Sequence, residues 1–131
     1  MKSRNVQAQV LAFEPNKNNW EISAKNIEIN NFKINLFNLA LADSRSKARP
    51  LYRYLDMNEG MYTLVPNTDR DYLVDSLVET DILTNYFTRN MHNVLIQMDM
   101  EGGEILVLRQ SPEIFERRAV VILEINSEMC I

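Results

Sequence analysis

Three apolar runs along the chain each lead directly into a carboxylate residue. The runs and the acids that follow them are Val10–Phe13 with Glu14, 94–98 with Asp99, and 119–123 with Glu124. Near-continuous apolar runs of this length, separated by helical patterns, are typical of parallel strands that are buried on both faces of a sheet. Because parallel strands all run in the same direction, we expect the three acids to lie along one edge, and open α/β sheets bind their ligands outside that carboxyl edge. The pattern therefore predicts an acidic binding site.

The segments between these runs alternate between helical and extended patterns. Pro15 stops the first strand, and Asn16 can cap the helix that follows it. The predicted elements, in chain order, are a helix over 16–30, a strand over 34–41, a hairpin of two extended pieces over 51–54 and 61–64 with a turn at 58–60, a helix over 72–88, and a short helix that ends near 109. This order predicts an α/β fold with a small inserted hairpin.

The size and charge of the chain restrict the function classes that fit it. A chain of 131 residues has the length of one domain, which we expect to cover 1–131. The net charge of −4 gives no electrostatic footprint for nucleic acid, and no apolar run approaches the roughly 20 residues that cross a bilayer. No segment resembles a signal peptide, and the single cysteine, Cys130, allows no disulfide within the chain. We therefore expect a cytoplasmic protein that binds neither nucleic acid nor membrane.

The turn after the second run carries the sharpest local signal for chemistry. Two of the three glycines in the chain are adjacent at Gly102 and Gly103, and glycine lets the backbone turn sharply and lets a ligand approach closely. If the strand stays extended, Asp99 and Glu101 project to the same side, and carboxylates at the tip of a buried strand are costly unless they are partnered. We interpret Asp99 and Glu101 as functional residues, and Glu104 as a residue that favours the N-terminal end of the next helix.

Two ordered motifs resemble those of FkbM-type methyltransferases. The first is the Phe-Glu-Pro-Asn that ends the family's second strand, followed by the Asn-Ile-x-x-Asn that closes the next helix. The second is the Asp-Val-Glu-Gly-x-Glu signature, and the final run is similar to a family strand that ends in Glu. The matching positions are Phe13, Glu14, Pro15, Asn16, Asn26, Ile27, Asn30, Asp99, Glu101, Gly102, Glu104 and Glu124. Because these motifs occur in the right order over nearly the whole chain, the resemblance is specific.

The resemblance implies a class I, Rossmann-like methyltransferase that uses S-adenosylmethionine as its cofactor. It places Glu14 where an acid of the family accepts hydrogen bonds from both ribose hydroxyls, with Pro15 and Asn16 beside it. A carboxylate has two acceptor oxygens to offer such a diol. The end of the next strand, Asn38 to Ala40, is implied to pass near the adenine.

The resemblance also implies a catalytic role for Asp99 and Glu101, which it places beside the transferred methyl group. A carboxylate there can orient a substrate hydroxyl and take its proton, and much of the rate enhancement comes from positioning the two reacting atoms. The expected reaction is O-methylation of a small-molecule or sugar hydroxyl.

The chain also departs from the family pattern. The glycine-rich loop that holds the cofactor follows the family's first strand, yet residues 1–9 contain no glycine, and Val78 lies near a position where the family has Asp. The resemblance therefore implies a partial Rossmann-like sheet, mostly parallel, that lacks the first strand and the last strands. Because the first strand lies between the second and the fourth, a gap should separate the pair containing Glu14 from the pair containing Asp99 and Glu124. We expect one of three outcomes. The two pairs could join directly, the gap could be filled by another segment, a partner chain or self-association, or it could stay open.

Three functions remain open at this point. The first is S-adenosylmethionine-dependent methyl transfer, and the second is a non-catalytic, methyltransferase-like domain with an interaction or structural role. The third is a Mg²⁺ site for phosphoryl transfer, because hard cations favour carboxylate oxygens. The third is disfavoured because no Lys or Arg stands beside Asp99 or Glu124 in the sequence, and we expect no metal site.

Overall fold

Short strands make up much of the structure, and α1 is its longest helix among the described residues. The structure is a computed structural model that describes residues 8–55, 61–66, 71–88 and 91–124. Its elements, in chain order, are β1 (Val10–Phe13), α1 (Lys17–Ile29), β2 (Ile34–Phe37), β3 (Ala40–Leu41), β4 (Ser46–Tyr54), β5 (Tyr62–Thr63), β6 (Tyr72–Asp81), a 3₁₀ helix (Leu83–Tyr86), β7 (Leu95–Met98), α2 (Glu104–Arg109), a second 3₁₀ helix (Pro112–Arg117) and β8 (Val120–Leu123).

The strands form three separate sheets within the described ranges. The strands β1 and β2 form a parallel pair in which Phe13 lies beside Phe37. The strands β7 and β8 form a second parallel pair in which Met98 lies beside Leu123. The third sheet has the order β3-β6-β4-β5, in which only β3 and β6 are parallel.

The α/β class is confirmed, but the expected single, mostly parallel sheet is not found among the described residues. The antiparallel pairing of β4 with β6 and β5 makes the architecture mixed. Direct pairing across the expected gap is also wrong for these residues, because β1 pairs only with β2 and β7 pairs only with β8. The apolar runs therefore do form parallel pairs, as their composition predicts, but each pair is a sheet of its own.

The helix that the sequence predicts over 72–88 is wrong. This segment forms the ten-residue strand β6, which is followed by the short 3₁₀ helix Leu83–Tyr86. Leu73 and Leu77 are four residues apart and imitate a helical stripe, yet both are exposed in the structure. The opposite face of β6 includes the buried Val78 and Thr80, and β-branched side chains fit a half-buried pleated surface. Antiparallel pairing with β4 thus overrides the local helical spacing.

The predicted strand over 34–41 is divided between two sheets. The first part is β2, which pairs with β1, and the second part is β3, which pairs with β6. The backbone bends at residues 38–39 between the two parts. Ala40 is buried in an apolar cluster with Leu51 and Val78, so this end of the predicted strand leaves the first sheet and packs in the core of the four-stranded sheet.

Two other local predictions are confirmed. The helix α1 begins after Asn16, whose side chain accepts a hydrogen bond from the backbone amide of Asn19 at 3.1 Å, as an N-cap residue does. The extended pieces over 51–54 and 61–64 pair in antiparallel fashion, with Tyr52 opposite Thr63. The turn expected at 58–60 lies outside the described residues.

One apolar cluster joins the three sheets, and we call it the central cluster. Its buried members are Leu41, Leu83, Met98, Val107 and Ile114. They come from the four-stranded sheet, the first 3₁₀ helix, β7, α2 and the second 3₁₀ helix, and Phe13 of β1 packs against them. The central cluster therefore connects elements that share no hydrogen-bonded ladder within the described residues.

We expect Ile114→Ala to destabilise the protein by about 2–5 kcal/mol, the usual cost of removing a fully buried aliphatic side chain. Ile114 is 0% exposed within the central cluster, whereas its neighbour Phe115 is 70% exposed. Phe115→Ala, the matched control, should change the free energy of unfolding by less than about 0.5 kcal/mol. Urea unfolding of both variants measures the change in the free energy of unfolding. Equal losses for Ile114→Ala and Phe115→Ala would contradict the burial of Ile114 in the central cluster.

Candidate functional site

The last residues of three strands belong to the central cluster or pack against it. Phe13, Met98 and Leu123 are the last residues of β1, β7 and β8, and each belongs to the central cluster or packs against it. The residue that follows each of them is one of the three acids, Glu14, Asp99 and Glu124. Glu14 follows a strand of one sheet, and Asp99 and Glu124 follow strands of another. The expected single sheet edge is therefore not found among the described residues, and a meeting of the three acids stays a prediction.

Glu14 lies at the junction of β1 and α1 in a turn that its own carboxylate helps to hold. The Glu14 amide donates to the carbonyl of Phe37 at 3.0 Å, which continues the pairing of β1 with β2 by one residue. One carboxylate oxygen, Oε1, accepts a hydrogen bond from the backbone amide of Asn16 at 2.8 Å. Asn16 is itself 5% exposed and caps α1. The Glu14-Pro15-Asn16 motif thus builds a strand-to-helix turn before any ligand is considered.

Asn38 joins the same turn from the end of β2. Its side-chain amide nitrogen Nδ2 donates to the carbonyl of Glu14 at 2.9 Å and to the carbonyl of Pro15 at 3.2 Å. The structure therefore brings together four of the predicted cofactor residues, whereas Ala40 is 4% exposed and lies in the four-stranded sheet. Cofactor contacts by these five residues stay predictions.

Partial burial gives Glu14 an unusual electrostatic environment. Desolvation raises the pKa of the Glu14 carboxyl above its ordinary value, although hydrogen bonds from the Asn16 amide and the Asn19 side chain lower it. A half-buried acceptor of this kind forms stronger hydrogen bonds than one in bulk water. Glu14 can therefore hold a polar ligand group more firmly than an exposed acid would.

A cavity of about 400 Å³ extends from Glu14 along the α1 side of the first sheet. Its strand wall includes Ala12 and Leu36, and its helix wall includes Asn26 and Ile27. This cavity is open to solvent, and its mostly apolar lining with a few polar groups has the composition of a small-molecule site. Glu14 is the carboxylate in this lining.

The turn between β7 and α2 places the two predicted catalytic acids. The strand ends at Met98, so the extended path on which Asp99 and Glu101 would share one side does not continue. Glu101 instead adopts a left-handed conformation, with φ of 49°. Asp99 is exposed and Glu101 is half-buried, so the expected desolvation cost of a buried acid does not apply to Asp99. Their catalytic roles stay predictions.

Glu104 has a structural role at this turn, which goes beyond the expected interaction with the helix dipole. Glu104 is 6% exposed. Oε1 accepts a hydrogen bond from the backbone amide of Met100 at 2.7 Å, and Oε2 accepts one from the backbone amide of Gly102 at 3.1 Å. The side chain therefore bridges the two amides on either side of Glu101.

Two residues near the strand ends are missed by sequence reasoning. Thr63, on β5, donates from its hydroxyl to the carbonyl of Glu101 at 3.0 Å, and a contact across 38 positions has no local signal in the sequence. Asp81 ends β6 and accepts from Ile82, Asn85 and Tyr86. No apolar run leads directly into Asp81, because Glu79 and Thr80 precede it, so the pattern that found the other three acids does not find it.

Tyr86 links Asp81 to the end of the first sheet. Its ring centroid lies 4.7 Å from that of Phe13 and 5.0 Å from that of Phe37, with edge-to-face geometry at both contacts. Burial and the neighbouring Asp81 carboxylate raise the pKa of Tyr86, which keeps its hydroxyl a donor. This aromatic contact fixes the end of β1, and hence Glu14, against the 3₁₀ helix after β6.

Among residues 8–55, 61–66, 71–88 and 91–124, no group of three or more His, Cys, Asp or Glu side chains is arranged to hold a metal ion. No helix there is long and apolar enough to cross a membrane.

Comparison with known proteins gives one match. The family model described as the methyltransferase FkbM domain matches residues 2–129, nearly the whole chain. This match confirms the resemblance that the sequence motifs indicated. No curated protein and no solved structure matches the chain.

We expect Glu14→Gln to gain stability relative to the unmodified protein as the pH rises from below about 4.5 to about 7. Because the pKa of Glu14 is raised in the folded state, its favourable contribution is complete below the unfolded pKa and is lost as the pH rises through the folded value. Glutamine keeps one oxygen that can accept the Asn16 amide but has no charge to desolvate.

Urea unfolding at a series of pH values measures this difference. The matched control is Glu21→Gln, which changes an exposed acid of α1 and should show no comparable trend. A stability difference for Glu14→Gln that is flat with pH, or that falls as the pH rises, would contradict the burial of this carboxylate.

Proposed function

This chain belongs to the FkbM methyltransferase family, and from that premise we propose that it is an S-adenosylmethionine-dependent methyltransferase acting on a hydroxyl of a small molecule or sugar. The observation that carries the proposal is the half-buried Glu14 carboxylate at the end of β1, beside a cavity of about 400 Å³. When bound, S-adenosylmethionine supplies a methyl group on a positively charged sulfur.

The chemistry of Glu14 fits the ribose of the cofactor. A carboxylate has about four lone-pair sites on its two oxygens; the Asn16 amide uses one site on Oε1, and the Asn19 side chain also donates to the carboxylate. Acceptor capacity therefore remains for a vicinal diol, whose two hydroxyls are both donors. The half-buried position of Glu14 strengthens such bonds and excludes part of the competing water.

The surroundings of Glu14 fit the rest of an adenosine group. The apolar side chains of Ala12, Ile27 and Leu36 line the cavity and can cover a flat base and a sugar ring. Ser23 and Asn26 supply polar groups on the α1 side. We propose that Asn38 holds the Glu14-Pro15 turn in position, because its amide donates to both of their carbonyls.

The proposed roles of Asp99 and Glu101 are those of a general base and an orienting residue. A carboxylate at this place would accept the proton of the substrate hydroxyl, which raises the nucleophilicity of the oxygen. Asp99 follows β7 directly and Glu101 lies two residues further on. The last residue of β7 is in the central cluster, against which Phe13, the neighbour of Glu14, also packs. Packing of the strand ends on one cluster is what supports placing these acids near the cofactor residues.

The proposal includes a partner chain or self-association that completes the parallel sheets. Leu95 of β7 and Val120 of β8 are cross-strand partners and are 68% and 60% exposed, although parallel strands are normally covered on both faces. Light scattering of the purified chain reports whether it self-associates.

Calorimetric titration with S-adenosylmethionine and S-adenosylhomocysteine tests the cofactor site. We expect binding in the micromolar range. Glu14→Gln should weaken it by about ten- to a hundredfold, because a hydrogen bond to a charged group is worth about 1.5–3 kcal/mol. Glu21→Gln, on the exposed side of α1, is the matched control and should leave the affinity unchanged.

Two outcomes would contradict the proposal. Absence of binding heat at saturating cofactor would favour the non-catalytic, methyltransferase-like domain instead. Equal weakening by Glu14→Gln and Glu21→Gln would show that binding does not depend on the end of β1.

A further inference from the structure

The turn between β7 and α2 contains a residue with unfavourable backbone angles. Glu101 has φ of 49° and Gly102 has φ of 106°, so two consecutive residues are in the left-handed half of the backbone map. Glycine adopts such angles freely, but a residue with a Cβ atom pays a free-energy cost there. Glu101 therefore needs contacts from outside the turn to remain in this conformation.

The first such contact comes from α2. The two carboxylate oxygens of Glu104 accept the amides of Met100 and Gly102, at 2.7 and 3.1 Å. These amides lie immediately before and after Glu101. The bridge holds both ends of the left-handed residue, and the 6% exposure of Glu104 protects these hydrogen bonds from water.

The second contact comes from a different sheet. Thr63 on β5 is 1% exposed, and its Oγ1 lies 3.0 Å from the carbonyl oxygen of Glu101. Thr63 Oγ1 also accepts a hydrogen bond from the backbone amide of Val65 at 3.0 Å. Because a threonine hydroxyl has a single proton, the Val65 amide occupies a lone pair and the proton points to Glu101. The Thr63 hydroxyl is thus oriented before it meets the turn.

We propose that Thr63 is a positioning residue for Glu101, so that the four-stranded sheet determines the direction of the proposed catalytic carboxylate. The hydrogen bond from Thr63 fixes the Glu101 carbonyl, and Glu104 fixes the amides on either side of Glu101. Together these contacts hold the Glu101 backbone in one orientation. This inference rests on the proposed function for the role of Glu101, but the coupling itself is a property of the folded chain.

If Thr63 positions Glu101, the inserted strands β4 and β5 contribute to the geometry of the proposed site. No hydrogen-bonded ladder joins their sheet to β7 within the described residues, so the bond between Thr63 and Glu101 is a polar connection from β5 to the turn. A change in the β4–β5 pairing would reach Glu101 through this bond.

The test uses carbon-13 and nitrogen-15 NMR of the full chain, with the side-chain carboxyl signal of Glu101 as readout. Thr63→Val removes the hydroxyl with little change of shape, and we expect it to shift the Glu101 carboxyl signal. Amide exchange at Gly102 should become roughly two- to tenfold faster relative to Val107 of α2, the effect of losing one hydrogen bond. Thr63→Ser keeps the hydroxyl and should restore both readouts.

Thr80→Val is the matched control for general destabilisation. Thr80 is 2% exposed in the same sheet and donates to the carbonyl of Ser44 at 2.8 Å, so its loss removes an equivalent buried hydrogen bond far from Glu101 in sequence. Thr80→Val should leave the Glu101 signal and the Gly102-to-Val107 exchange ratio unchanged.

An unchanged Glu101 signal in Thr63→Val, or an equal shift in Thr80→Val, would overturn the positioning role. Calorimetry with S-adenosylmethionine on the same samples reports separately on the proposed function. If the unmodified chain fails to bind the cofactor, the catalytic assignment of Glu101 fails, while the NMR result still decides whether Thr63 controls the turn.

Discussion

Apolar packing is the constraint on which this structure depends, because its three sheets share no hydrogen-bonded ladder within the described residues. Leu41, Met98 and Ile114 of the central cluster come from separate elements, and Phe13 packs against them from the first sheet. Hydrophobic burial is non-directional, so it can join sheets whose strands do not pair. The residues that precede the three acids lie on the same cluster. The packing that joins the sheets therefore also holds the candidate site.

The two halves of the candidate site are held in different ways. The Glu14 turn is mostly local, because Asn16 bonds to Glu14 and caps α1, and Asn38 adds the longer-range contact. The turn at Glu101 depends on Glu104 from the next helix and on Thr63 from another sheet. Changes at the four-stranded sheet should therefore affect the turn at Glu101 more than the turn at Glu14. The first half can be derived from a short motif, whereas the second half needs the whole fold.

The sequence-based predictions that are wrong also depend on more than a short local motif. The segment 72–88 has leucines at helical spacing, and only its pairing with β4 shows that Leu73 and Leu77 face solvent while Val78 enters the core. The strand expected over 34–41 divides because Ala40 pairs with Thr80 of β6, a partner forty residues away. Asp99 and Glu101 share one side only if the strand stays extended, and β7 ends at Met98. In each case a distant partner or the end of a strand decided the outcome.

The sequence by itself determined the α/β class, the apolar runs that end in acids, the Asn16 cap and the family resemblance. These depend on neighbouring residues, on spacing, and on ordered motifs that a single chain displays. Tertiary structure alone decided that the parallel strands form two separate pairs, that β6 is a strand, and that Thr63 bonds to Glu101. The physical reason is that strand pairing and buried hydrogen bonds join residues far apart in the chain, and their free energy exists only after the chain has packed.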